Sequence, residues 1–306
     1  MTNGPDVTIV AFPAGEPGEG PYATAAGPDG AMWFTHVHQG RIGRMALDGT
    51  QRTHALDSAT AGPALIVAGP DDALWFTELH GNRIGRSTTD GDISEFELPT
   101  PDSAPYGLAV GPDDALWFTE MNTDRIGRIT PAGEITEFAL PDTGTFPSMI
   151  VAGPDGALWF TMNQANAIGR ITTGGEVTVF PLPTEGAGPV GITRGSDDAL
   201  WFVEIIAGQI GRITVDGAIT EFPLPDRDAR PHAITAGPDG ACWFTEWGAG
   251  RAGRIDHEGA IRSYDLPADK PEPHGIALGA DGGLWIALEA GAIARVTPSG
   301  ERTSGR

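Results

Sequence analysis

Two histidines and two glutamates toward the C-terminal end of this 306-residue chain have the types and spacing of a proton-transfer site beside a hard cation. Glu272-Pro273-His274 sets a carboxylate and an imidazole on either side of a rigid residue. His232 follows Pro231 in the same way 42 residues earlier, and Glu289 comes 15 residues after His274. Imidazole titrates near neutrality and can remove a proton within hydrogen-bond reach. Glutamate oxygens suit Mg²⁺, which keeps waters or takes substrate oxygens in its other positions. A cation beside a base allows abstraction of an acidic C–H while the developing enolate is stabilised. The competing reading is a solvated polar rim on an acidic protein.

What singles these residues out is a repeat. Trp33, Trp75, Trp117, Trp159, Trp201, Trp243 and Trp285 are each 42 residues apart, and prolines from Pro21 to Pro273 and glycines from Gly27 to Gly279 keep the same step. A residue present in all seven copies is explained by the scaffold; a reactive one in only one or two copies needs another reason. After the repeat proline stand Tyr22, Ala64, Tyr106, Ser148, Val190, His232 and His274; before it stand Gly20, Gly62, Ala104, Phe146, Gly188, Arg230 and Glu272. Four residues beyond the tryptophan the chain has Val37, Leu79, Met121, Asn163, Ile205, Trp247 and Glu289. The last connection is one residue shorter, since Arg295 lies ten residues after Trp285 whereas Arg254 lies eleven after Trp243. The tryptophans, turn aspartates and Ile-Gly-Arg arginines read as scaffold. Cys242 occupies a leucine or methionine position and reads as core. His36, His38, His54, His80 and His257 show no convergence and are expected on the surface or in loops, although His36 replaces a glutamate of the second strand.

Each 42-residue unit must supply the elements that position these side chains. A short strand after the proline, a Gly-Pro-Asp turn, a Leu-Trp-Phe-Thr strand, an Ile-Gly-Arg strand and a fourth β-branched strand form one antiparallel unit. Seven such units predict an all-β, seven-bladed β-propeller in one domain over 1–306. Val7 to Phe12 resembles a fourth strand lacking its own blade, and the last unit stops after its third strand, leaving a polar tail, Glu301 to Arg306. The N-terminal strand is therefore expected to complete blade seven and remove the open edges. In this ring the residue after each proline begins the innermost strand at the mouth of the central channel.

Composition narrows the classes of function. A net charge of −22, from 41 acidic and 19 basic residues, repels phosphate backbones and anionic lipid, so neither nucleic acid nor membrane is an expected partner. A single cysteine rules out an intramolecular disulfide. The N-terminal Met-Thr-Asn-Gly-Pro-Asp has no basic or apolar signal region, so a cytoplasmic protein is expected, and a closed ring with an acidic surface is expected to be monomeric.

With Gly-Pro-Asp-Gly-x-Leu-Trp-Phe-Thr-Glu units, Ile-Gly-Arg-Ile, Arg-Pro-His-Ala-Ile-Thr and Glu-Pro-His-Gly-Ile in place, the chain resembles the virginiamycin B lyase family over essentially its whole length. The resemblance implies a Mg²⁺-dependent carbon–oxygen lyase that confers antibiotic resistance by opening streptogramin B cyclic depsipeptides at the threonyl ester, by elimination. It implies His274 as general base, Glu272 and Glu289 as Mg²⁺ ligands, and His232 with Tyr22 as substrate contacts. A metal-dependent lactonase on the same scaffold and a non-catalytic binding propeller are the alternatives.

Overall fold

The computed structural model of the chain describes residues 7–16 and 18–298; the polar tail noted above lies outside them. Seven four-stranded antiparallel sheets follow one another around a ring, the seven-bladed propeller that the repeat predicts. Six blades take their strands in sequence order. In the seventh, the strand Val7–Pro13 pairs with Ala292–Pro298, bringing Phe12 opposite Ile293, so the ring closes as expected. Among the described residues the sole helical element is a 3₁₀ turn at Arg227–Ala229, and no helix is long and apolar enough to cross a membrane.

The repeat residues earn their regularity through one polar clasp per blade. In blade three the Trp117 indole N–H donates to Asp113 Oδ1 at 2.9 Å, and Arg128 Nε donates to Asp113 Oδ2 at 2.7 Å. The aspartate thus ties the second strand to the third, and the same arrangement recurs from Asp29 to Asp239; in blade seven Asp281 accepts from Trp285 while Arg295 reaches it through Nη2 at 2.7 Å. Each of the seven repeat tryptophans is fully buried, with its ring stacked on an aromatic ring of the outer strand, an imidazole, His54, in blade one. Phe12 provides that ring for Trp285 at 5.5 Å, which makes the closing strand part of the core. Cys242 is 1% exposed within the interblade core, and burial pushes its thiol up to about 12.

Two further features aim side chains at the channel mouth. Every innermost strand shifts register just after its proline, between Pro231 and Ile234 in blade six and between Pro273 and Ile276 in blade seven. Such bulges bend a strand and redirect its side chains. The second-strand threonine then reaches the next blade: Thr245 Oγ1 donates to the His274 carbonyl at 2.8 Å while accepting from the Ala233 N–H at 3.0 Å. Blade five has Val203 in that place, so the His232 carbonyl lacks the equivalent bond.

Candidate active site

His274 and His232 meet at the mouth, their rings edge-on at 5.0 Å, with Tyr22 of blade one 4.6 Å from His274 and 6.1 Å from His232. The backbone makes room for this. A side chain at Gly275 would lie 2.7 Å from Ala23 Cα and 2.9 Å from the Tyr22 carbonyl, so only glycine lets blade seven approach blade one here. Tyr22 and Tyr106 share a hydroxyl–hydroxyl hydrogen bond of 2.7 Å across the mouth. Beneath them lies a mostly apolar cavity of about 160 Å³ in the channel, with Leu65, Leu108 and Met149 in its walls.

Glu289 completes the cluster. Its Oε2 lies 2.8 Å from His274 Nε2 and its Oε1 lies 3.0 Å from His38 Nε2. A carboxylate only accepts, so in the neutral rings both Nε2 atoms carry the proton. The shorter connection does not displace Glu289: its N–H donates to the Glu272 carbonyl at 3.2 Å, as the Trp247 N–H donates to the Arg230 carbonyl at 3.1 Å in blade six. The ligand pair read from the sequence is therefore joined through its backbones. Glu272 is exposed and left-handed at φ 46°, where three other blades use glycine.

Burial dominates the site's electrostatics. It pushes His232 down to about 3, helped by the neighbouring His274, so His232 is neutral at physiological pH. Burial also lowers His274, against the opposing pull of the Glu289 carboxylate. For Glu289, burial works upward, but the hydrogen bonds from His274 and His38 outweigh it and hold the carboxyl below its ordinary range. Burial and Tyr106 raise the Tyr22 phenol well above its ordinary value. A neutral base, an ionised carboxylate and a protonated phenol thus coexist near neutral pH.

Among the described residues, no three His, Cys, Asp or Glu side chains converge into a cage. Glu272 is exposed and its backbone is bonded to that of Glu289, so by oxygen chemistry the two suit a Mg²⁺ that keeps several water or substrate oxygens, provided Glu289 leaves His38 and His274 to meet it.

All five site residues expected from sequence are at this mouth. Two expectations about other histidines need correction. His36 is not on the surface; it is 1% exposed, at the strand end where blades two and three bury glutamates, and both of its ring nitrogens lack partners. His38 is exposed but belongs to the cluster through Glu289. Its repeat mate His80 packs on Gly62 as His38 packs on Gly20, which gives both the appearance of scaffold. Trp247 was also not singled out, although its ring lies 6.4 Å from that of His274.

The profile of the virginiamycin B lyase family matches residues 7–296. The virginiamycin B lyase of Saccharopolyspora erythraea is 62% identical over 43 residues, a stretch covering 14% of each chain. A streptogramin B lyase structure superposes with a TM-score of 0.92 at 43% identity, covering 95% of this chain and 97% of that one. The virginiamycin B lyase of Staphylococcus aureus gives 0.92 at 47% identity, covering 95% and 99%; so does its catalytically inactive histidine-to-alanine variant, solved with quinupristin.

Proposed function

The chain belongs to the virginiamycin B lyase family, and from that premise we propose that it linearises streptogramin B-type cyclic depsipeptides by elimination at the threonyl ester. The observation that carries the reading is the Glu289–His274 contact of 2.8 Å, with His232 and Tyr22 packed against the same imidazole. The inactivity of the histidine-to-alanine relative supports a histidine base.

His274 removes the threonyl α-proton. Its Nε2 is the ring nitrogen bonded to the rim carboxylate, whereas Nδ1 is enclosed without a partner. Nε2 carries the ring proton in that contact, so it takes the α-proton only after substrate binding displaces Glu289 and the ring proton passes to Nδ1. Thr245 holds the base through its backbone, which limits the positions the ring can sample. His232, neutral and buried beside it, orients the substrate rather than exchanging protons, and Tyr22 donates or accepts a hydrogen bond through its protonated phenol. Glu272 and Glu289 would hold Mg²⁺, which, when bound, polarises the substrate carbonyl and so acidifies the α-proton. Breaking the Cβ–O bond yields a dehydrobutyrine end and a free carboxylate.

The test is mass spectrometry of a streptogramin B incubated with the protein in Mg²⁺ and then in chelator. A ring-opened product of unchanged mass, formed only with the metal, is expected. A product heavier by one water would make the protein a hydrolase, and an intact substrate would remove the activity altogether.

A further inference from the structure

Arg230 and Trp247 occupy in blade six the places that Glu272 and Glu289 occupy in blade seven, and the backbone hydrogen bond joining each pair is the same. The residue before the repeat proline is left-handed in all seven blades, with φ from 46° to 69°. Glycine adopts that conformation without steric cost and fills it in three blades, whereas a long side chain does not. Blade six nevertheless carries an arginine there. Its guanidinium lies 5.7 Å over the Trp247 ring, and the Trp247 Nε1–H is buried with no hydrogen-bond partner.

This pair lines a cavity of about 830 Å³ that also touches Glu272; the base does not line it, but Trp247 stands between the two, its ring 6.4 Å from that of His274. Lys270, the chain's sole lysine, lines the same cavity. Among the described residues, Arg230 and Lys270 take part in no ion pair, unlike the scaffold arginines, which are each paired with a turn aspartate. Asp228, Asp265 and Glu272 share the wall with the two cations, so the cavity as a whole is not cationic and the anion-binding element is local, the Arg230 guanidinium on its Trp247 face, which suits a single carboxylate on an apolar body rather than a polyanion.

Resting on the elimination described above, we infer that Arg230, stacked on Trp247, and Lys270 form the subsite that takes the carboxylate released when the ester opens. In that reaction His274 gains the α-proton and the C–H electron pair becomes the Cα=Cβ bond. The Cβ–O bond breaks with its pair on the departing oxygen, and nothing is oxidised or reduced. The negative charge thus appears on an arm newly freed from the ring, and past Trp247 that arm meets a planar donor fork that binds carboxylates in bidentate fashion.

The experiment is calorimetric binding of the ring-opened acid and of its C-terminal carboxamide to wild type, Arg230→Gly and Lys270→Gln, with turnover of the cyclic ester followed in parallel. Wild type should bind the acid about tenfold more tightly than the amide, the scale of a charge-assisted hydrogen bond. Arg230→Gly, which suits the left-handed backbone, should fold normally and lose most of that preference; Lys270→Gln should reduce it. Equal binding of acid and amide by a wild type that still turns over the ester removes the subsite alone. A preference surviving in both variants does the same. A wild type that leaves the ester intact overturns the lyase reading and the subsite with it.

Discussion

Glu289 bonds His274 from a connection one residue shorter than those of the other blades, Oε2 to Nε2 at 2.8 Å. The contact survives because the Glu289 N–H keeps the repeat's hydrogen bond to the residue before the proline. His38 then holds the second carboxylate oxygen from blade one, across the joint where the ring closes.

Glu289→Gln keeps the shape but removes the charge that both imidazoles and the expected metal need. Activity should fall about 10- to 100-fold, the range seen when groups supporting a metal site are lost. His38→Ala should cost less, about tenfold at most, and should show as a higher Mg²⁺ concentration for half-maximal activity. Steady-state kinetics across a Mg²⁺ titration checks both. Glu289→Gln within twofold of wild type would mean that the carboxylate has no part in the reaction.

His274→Ala should lower kcat by about 10²- to 10⁴-fold, the usual contribution of a positioned general base, with circular dichroism unchanged. His232→Ala should act chiefly on KM, because a histidine held neutral at every working pH orients substrate but does not cycle a proton. Equal kcat losses in the two variants would argue against dividing their roles in this way.

The propeller and the mouth were legible because departure from a seven-fold pattern is visible wherever the pattern is strict. His232, Glu272 and His274 stood out for that reason, and Val7 to Phe12 revealed the closure by its offset from Trp33. His38 was not legible. It shares its repeat position with His80, and its partner lies 251 residues away in sequence, brought near only by the ring. His36 was misjudged because its strand end, polar in most blades, is sealed by the neighbouring structure. Periodicity shows which face a side chain takes, but not how deeply the next blade covers it.

Thr245→Val reproduces what blade five already has in Val203. It deletes the bond to the His274 carbonyl and the acceptor for the Ala233 N–H, two partners on adjacent blades. A stability loss of about 1–2 kcal/mol is expected from two buried groups left without partners. Because one of them is the backbone of the base, kcat should fall several-fold while KM changes little. Thermal unfolding and kinetics on the same preparation test this; a stability loss with unaltered kcat would show that the bond supports the ring without positioning the base.

Glu78, Glu120 and Glu204 end the second strands of blades two, three and five, fully buried, and burial pushes each carboxyl up to about 7. In the unfolded chain they ionise near 4.5, so their neutral forms are favoured by folding. Their contribution to stability is complete below about pH 4.5 and is lost as pH rises through 7. The turn aspartates act in the opposite sense. Burial raises them, but their arginine and tryptophan hydrogen bonds prevail and hold them low, so that stability is lost only in strong acid. Thermal stability should therefore decline between pH 5 and pH 8. Blade four carries Met162 at the place of Glu120, fully buried, so Glu120→Met fits the fold. It should gain about 1–3 kcal/mol at pH 8, from removing a charge that burial disfavours, and little at pH 5, where the wild-type carboxyl is already neutral. Thermal melts of both proteins at the two pH values decide the matter: a wild type at least as stable at pH 8 as at pH 5 would show that these carboxyls reach water or a cation when they ionise.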